Sequence, residues 1–195
     1  MKKNMTLLGV LVVVASFQTP AVKAADVPVT KGIVTWVGKK LTGSHTGTVA
    51  VKSGKIIKND AGEFTGGEFV IDMSTLTETD IEDAEANQKL LNHLKSDDFF
   101  SIAKYPTATL VLTSIQKKSE HKYDVTANLT IKGISNEVSF VAKRDSENGV
   151  EKWTAHIVVD RTKYNIHFRS LKFFADIGDK VIYDEFELNV VLVTP

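Results

Sequence analysis

The chain has 195 residues, and its 24 lysines and arginines balance its 24 aspartates and glutamates. It contains no cysteine, which excludes disulfides, cysteine-based metal sites and a thiol nucleophile. A chain without an excess of basic residues has no electrostatic field suited to polyanions, so we expect neither nucleic acid nor an anionic membrane surface as its partner.

The first 24 residues have the pattern of a secretory signal peptide. Lys2 and Lys3 precede an apolar run at residues 7–17, and a small-residue cleavage site ends at Ala24. The run is shorter than the roughly 20 residues that cross a bilayer, so we expect no integral membrane segment after cleavage. Residues 25–195 would then form one domain with 21 basic and 24 acidic residues, exported to the periplasm or secreted.

From residue 29 onward, apolar and polar residues alternate with a period of two. The clearest segment is residues 123–132, which predicts a strand with one buried face. Related patterns predict eight strands in all, at residues 29–40, 44–58, 62–73, 107–117, 123–132, 138–142, 153–159 and 180–194. One buried face per strand predicts antiparallel pairing in an all-β domain, either a closed barrel or a two-sheet sandwich.

Two segments lack this alternation. Residues 78–94 begin with acidic side chains and continue with leucines near helical spacing, which predicts a loop running into a short helix between the third and fourth strands. Residues 162–179 carry aromatic side chains without a regular period, so we expect a long loop before the last strand.

His93 is one of two histidines that could carry chemistry. It precedes Asp97 and Asp98 at a predicted helix end, where a metal site would have to span that end. The alternative is that His93 flanks the helix while one of the aspartates accepts backbone hydrogen bonds in the turn. We favour the alternative, because short polar side chains in turns usually bond the local backbone.

His45 is the other histidine of interest, because the two-residue period places it on the same strand face as Val49. If that face is interior, His45 would either bond a ligand headgroup or pair with another protein group. Lys40 and Trp36, on the first predicted strand, are its candidate companions.

Aromatic residues are concentrated in the predicted connections. There they would either plug a barrel end or line a mouth through which an apolar chain passes. These residues are Phe99, Phe100, Tyr105, Phe168, Phe173 and Phe174.

Four blocks of the sequence resemble the YceI-like family of bacterial lipid- and polyisoprenoid-binding proteins. Residues 93–110, "HLKSDDFFSIAKYPTATL", are similar to that family's Leu-x-Ser-x-Asp-Phe-Phe and Tyr-Pro-Thr pattern. "ANLTIKGISNEVSF" at 127–140, "DRTKYNIHF" at 160–168 and "DIGDKVIYDEFELNVVL" at 176–192 follow in the same order. The start departs from the family, since His45 stands where an aromatic residue is common.

This resemblance implies an exported, lipocalin-like, eight-stranded antiparallel barrel. Its elongated pore would hold an amphiphile such as an isoprenoid quinone or a polyprenyl compound, without a metal, a cofactor or catalytic residues. The expected pore lining is Trp36, Lys40, His45, Val125, Ala127, Leu129, Val138, Phe140, Trp153, Ile157, Phe186, Leu188 and Val190.

The sequence therefore predicts a binding protein for an isoprenoid-type or other long-chain lipid. Two alternatives stay open. One is a barrel with a packed interior and a stress-related or structural role; the other is a metal-dependent hydrolase or isomerase that uses His45 and His93. A homodimer also stays open.

Overall fold

The computed structural model describes residues 25–195, and the predicted signal peptide at residues 1–24 lies outside them. The described chain contains nine strands: β1 (Ala25–Pro28), β2 (Lys31–Lys40), β3 (Gly43–Lys58), β4 (Phe64–Asp72), β5 (Thr107–Ser119), β6 (Lys122–Ile131), β7 (Ile134–Glu147), β8 (Val150–Asp160) and β9 (Ile182–Thr194). One α-helix, α1 (Ala84–Lys95), lies between β4 and β5, and 3₁₀ helices span Met73–Thr75, Arg161–Tyr164 and Gly178–Lys180.

Eight of these strands close into an antiparallel barrel. The order β3-β2-β9-β8-β7-β6-β5-β4 is completed by pairing of β3 with β4. This confirms the predicted eight-stranded barrel, with its helix between the third and fourth barrel strands and a long connection before the last.

The ninth strand, β1, was not predicted. It pairs with Lys55–Lys58 of β3, whereas β2 pairs with residues 43–50 of the same strand. β1 and β2 therefore follow successive parts of β3, separated by Val29 and Thr30. A four-residue strand that ends in proline shows too little alternation to be recognised from sequence.

The two-residue period explains why β6 forms and which face it buries. Its odd-numbered residues from Tyr123 to Ile131 are buried, as predicted. β6 turns into β7 through Lys132 and Gly133, whose φ angles are 51° and 73°. Two successive residues with positive φ are typical of a type I′ turn, which matches the twist of a hairpin.

The helix α1 is fixed at both ends by side chains. Asp83 accepts a hydrogen bond from the backbone N–H of Ala86 at 2.8 Å, and the Ser96 hydroxyl donates to the His93 carbonyl at 2.8 Å. Leu94 is the buried residue of the helix and belongs to the barrel core. Within residues 25–195, no helix is long and apolar enough to span a bilayer.

Candidate ligand-binding cavity

The barrel encloses a cavity of about 190 Å³. Its lining comes from all eight barrel strands and from the segment after α1, and most of its side chains are aliphatic or aromatic. An engineered apolar cavity of about 150 Å³ stays dry and binds benzene, so a space of this size and lining is suited to an apolar ligand.

Nine of the residues expected in the pore do line this cavity. They are Trp36, Val125, Leu129, Phe140, Trp153, Ile157, Phe186, Leu188 and Val190. They share one property: each occupies an inward position in the alternating pattern of its strand, which is the signal that the sequence provides. Their contact with a ligand stays a prediction.

Four expected pore residues lie elsewhere. Ala127 is fully buried and Val138 packs against the core, but neither side chain reaches the cavity. Lys40 is exposed at the end of β2, beyond the cavity. His45 alternates in step with Val49 along β3, but it does not line the cavity and its side chain lies beside Asp80 instead.

His45 instead belongs to a small cluster with Glu78 and Asp80. Its Nδ1 lies 3.2 Å from Asp80 Oδ2, and one ligand atom from each of the three residues falls within 4.8 Å of the others. Partial burial raises the pKa of Asp80, but the neighbouring Glu78 carboxyl and hydrogen bonds from Thr46 and His45 outweigh it, so this pKa lies below its usual value.

The carboxylates of this cluster already have protein donors. Glu78 is buried and accepts hydrogen bonds from the backbone N–H groups of Asp80 and Ile81 and from the Asn87 side chain, at 2.7, 3.0 and 2.6 Å. The backbone N–H of Thr46 donates to Asp80 at 2.7 Å. These three residues could hold a cation, but their observed contacts are explained by attachment of the 77–81 loop to β3.

His93 has different partners from His45. Its Nε2 lies 3.2 Å from Asp98, and its ring packs edge-on against Phe99 and Phe168 with centroid distances of 5.0 and 4.5 Å. Asp97 accepts a hydrogen bond from Lys104 at 2.9 Å, and among the described residues neither Asp97 nor Asp98 accepts a backbone hydrogen bond, so the predicted capping of the turn by an aspartate is not observed. The two histidines proposed for a hydrolase therefore sit in separate clusters.

An aromatic lid closes the barrel end next to α1. Phe99 and Phe100 line the cavity, and Phe168 packs on Phe99 with a centroid distance of 5.7 Å. Phe100 approaches Phe186 of β9 at 6.5 Å. We refer to His93, Phe99, Phe100 and Phe168 as the lid.

The three other aromatic residues expected at a barrel end, Tyr105, Phe173 and Phe174, face solvent, and Tyr105 is 38% exposed. Phe173 is 50% exposed and Phe174 is 47% exposed, and the Phe173 ring stacks on His167 at 3.6 Å. The sequence indicated an aromatic loop correctly, but it could not show which rings turn inward.

An aromatic floor closes the opposite end. Phe64, Tyr123 and Trp153 pack against one another with centroid distances of 4.7 to 5.6 Å. The Arg144 guanidinium lies 5.9 Å from the rings of Tyr123 and Trp153, within the range of a cation–π contact. Phe64 and Tyr123 were missed as end-closing residues because their strands come together only in the folded barrel.

Arg161 is a further residue that sequence reasoning missed. It is only 3% exposed and contributes to the cavity wall. Its guanidinium donates hydrogen bonds to the carbonyls of Ile166, Ile182 and Tyr183 at 2.8, 2.9 and 3.0 Å, and lies 3.4 Å from Asp184. Burial lowers the pKa of Arg161 from its ordinary value. The sequence feature that could have indicated Arg161 is its position in the "DRTKYNIHF" block, one of the four blocks that resemble the family.

Comparison with known proteins now identifies the family. A family model described as the YceI-like domain matches residues 27–194, nearly the whole described chain. The chain belongs to the YceI family. The resemblance seen in the sequence blocks is thereby confirmed.

Curated relatives of this YceI-family chain match over part of their length. A UPF0312 protein of Photorhabdus laumondii is 34% identical over 88 residues, which is 45% of each chain. Protein YceI of Salmonella arizonae is 30% identical over 86 residues, which is 44% of each chain. The matched segment thus spans less than half the length of these relatives.

Solved structures share the fold of the YceI-family chain. BcnA of Burkholderia cenocepacia aligns with a TM-score of 0.67 at 22% identity, covering 84% of this chain and 96% of BcnA. A domain from Saccharophagus degradans, described as polyisoprenoid-binding and implicated in plant cell wall breakdown, aligns with a TM-score of 0.61 at 18% identity, covering 89% and 98%. These likenesses show the barrel fold.

Proposed function

We propose that this YceI-family chain is an exported carrier that holds one amphiphilic lipid with an isoprenoid-type tail. The observation that carries the proposal is the apolar cavity, walled by all eight strands and covered at both ends by aromatic side chains. Burying each CH₂ group of a tail contributes about 0.8 kcal/mol, so a tail binds such a cavity without any charged anchor. The polyisoprenoid-binding description of the Saccharophagus domain supports the same ligand class.

The cavity also argues against the alternative of a packed barrel. Protein interiors are normally close-packed, and unfilled apolar space is destabilising because its lining loses dispersion contacts. A ligand tail would restore those contacts. The export part of the proposal is supported by the signal-peptide pattern of residues 1–24.

Native mass spectrometry with organic extraction tests the carrier. The protein is purified from the compartment in which it accumulates, and we expect a bound long-chain lipid at one molecule per chain. A stoichiometric metal without lipid would favour the hydrolase alternative, and a clean apo mass would favour the packed barrel. The same spectra report whether the chain is a monomer or a homodimer.

A pair of neighbouring substitutions tests the cavity as the lipid site. Phe140 lines the cavity, whereas the next residue, Val141, is exposed on the outer face of the same strand. We expect Phe140→Asp to abolish lipid retention, because a carboxylate in the apolar interior disfavours a hydrocarbon tail. Val141→Asp should retain the lipid.

A milder substitution separates loss of binding from loss of folding. Ala155 lines the cavity, and Ala155→Phe fills part of it with apolar side-chain volume. We expect this variant to give a β-rich circular dichroism spectrum and a reduced amount of bound lipid. Unchanged retention in both Phe140→Asp and Ala155→Phe, with intact folding, would contradict the proposed site.

A further inference from the structure

The pairing of β2 with β9 is interrupted near the lid end of the barrel. Regular pairing ends at Gly38 and Phe186 and resumes only after Lys39 on β2 and residues 183–185 on β9. One residue of β2 thus faces three of β9. The register shifts between β3 and β4 and between β5 and β6 each leave a single residue unpaired, as an ordinary bulge does. We call the larger interruption the β2–β9 window.

The cavity extends to this window. Along most barrel strands only alternate residues line the cavity, because alternate side chains point inward. At the window, residues adjacent in sequence line it on both strands: Gly38 with Lys39, Ile182 with Tyr183, and Glu185 with Phe186. Elsewhere in the described strands, residues adjacent in sequence line the cavity only at Trp153, Thr154 and Ala155, where the alanine side chain is small. The cavity therefore reaches both inward and outward positions of β2 and β9 where their pairing is interrupted.

Arg161 binds the β9 side of the window. In a continuous sheet the carbonyls of a strand accept hydrogen bonds from a neighbouring strand. At the window the carbonyls of Ile182 and Tyr183 accept them from the Arg161 guanidinium instead. Beyond the window, the strands meet again, where the Leu41 N–H donates to the Val181 carbonyl at 3.2 Å. The interruption in pairing is thus bounded at both ends.

The cations that line the window have carboxylate partners, whereas Glu185, which also lines it, has no ion pair among the described residues. Lys39 forms an ion pair with Glu187, and Arg161 lies 3.4 Å from Asp184. Lys172 also pairs with Asp184, at 3.4 Å. An anionic headgroup would meet the unpaired carboxylate of Glu185, and the buried Arg161 guanidinium already has Asp184 as its partner, so added negative charge is unfavourable here. A neutral group that forms hydrogen bonds fits this environment better.

We infer that the polar end of the bound amphiphile lies in the β2–β9 window as a neutral hydroxyl, carbonyl or amide, and that the lipid enters and leaves the barrel there. The inference rests on the proposed carrier function and adds the route and the headgroup class. The lid and the floor close the two barrel ends, so the side opening is the path that the described structure offers.

Two cysteines introduced across the window test the route, because the natural chain has none. Lys39→Cys with Tyr183→Cys places both thiols on exposed positions at the two sides of the window. A short bismaleimide then ties the strands together. The control pair, Ile33→Cys with Val191→Cys, joins the same two strands at directly paired, outward-facing positions that do not line the cavity.

Tryptophan fluorescence provides the measurement, because Trp36 and Trp153 both line the cavity. Geranylgeraniol is mixed with each protein in a stopped-flow instrument, and its uptake and release are followed. We expect the window cross-link to slow both rates by about tenfold or more, and the control cross-link to leave them within about twofold. Circular dichroism checks that both cross-linked proteins are folded.

The outcomes separate the inference from the carrier proposal. Unchanged rates in the window-linked protein, with normal binding, would overturn the route and leave the carrier function standing. Absence of any fluorescence response or retained prenyl compound in the parent protein would instead overturn the carrier function. For the headgroup, geranylgeraniol should bind about tenfold more tightly than geranylgeranyl phosphate; equal or tighter phosphate binding would refute a neutral headgroup.

Discussion

Gly47 is the residue that lets the indole of Trp36 meet the loop after β4. The Trp36 Nε1–H donates to the Thr77 carbonyl at 3.0 Å. A Cβ atom at position 47 would overlap the Thr77 carbonyl oxygen and would lie 2.7 Å from the Trp36 ring. Glycine is thus required at this position by the close approach of a backbone and a ring, and the orientation of a cavity-lining tryptophan depends on it.

Substitution of Gly47 by alanine should destabilise the protein by about 1–3 kcal/mol, because the added methyl group overpacks a backbone contact. Urea denaturation followed by tryptophan fluorescence measures this change. Gly38→Ala is the matched control, since its Cβ would meet only the Trp36 ring at an ordinary 3.9 Å. Equal unfolding midpoints for the two variants would contradict this account.

For single residues, the alternation of inward and outward positions along a strand explains which predicted cavity residues were right and which were wrong. The two-residue period placed Phe140 and Leu188 on inward faces, and both line the cavity. The same rule placed His45 inward, but parity does not show where along the barrel the cavity ends. In the structure, the 77–81 loop bonds this part of β3 through the N–H groups of Thr77 and Thr79, and its Asp80 contacts His45.

Among the nine strands, β1 is the one that the barrel does not need for closure. Its four residues pair only with the far end of β3, and Asp26 adds an ion pair with Lys55 at 2.9 Å. β2 already joins β3 to β9, and β3 already joins β4. β1 therefore extends one strand of the wall without completing the ring.

Deletion of residues 25–28 should accordingly leave a folded barrel with a small loss of stability. We expect the β-rich circular dichroism spectrum and the binding of geranylgeraniol to be retained, with a lower thermal midpoint. Deletion of the same number of residues from β9, at 191–194, is the comparison, since these residues pair with both β2 and β8. If the β1 deletion unfolds the protein as completely as the β9 deletion, β1 is part of the closure.

The elements could be predicted from sequence because each one has a local signal. Alternation marked the strands, and acidic residues followed by spaced leucines marked α1. The β2–β9 window could not be predicted, because it arises from the register between two strands about 150 residues apart in sequence, which no local pattern encodes. Arg161 was missed for the same reason: its carbonyl partners on β9 are defined only by the fold.

For the whole molecule, the pKa shifts of its carboxylates predict loss of stability in acid. Hydrogen bonds from Ser74 lower the pKa of Asp72, and a hydrogen bond from Lys104 lowers that of Asp97. A carboxylate with a lower pKa in the folded than in the unfolded state stabilises the fold above the unfolded pKa, and this contribution is lost as the pH falls towards the folded value.

We therefore expect the free energy of unfolding to decrease as the pH falls from about 5 to about 3, the range in which free aspartate titrates. Urea denaturation at a series of pH values measures it. Asp72→Asn should make this decrease less steep, because the amide does not titrate, while Val141→Asn on the exposed outer face should not. A free energy of unfolding that is constant over this range would contradict the prediction.

Under the proposed carrier function, the floor of Phe64, Tyr123 and Trp153 would limit the length of the tail that the cavity holds. If the tail enters at the β2–β9 window as proposed, it would extend only as far as the floor. Shorter tails leave apolar wall unfilled, and longer ones push their last groups into water, so both bind less well. The size of three aromatic rings, far from any polar headgroup, would thus set the chain length that the protein prefers.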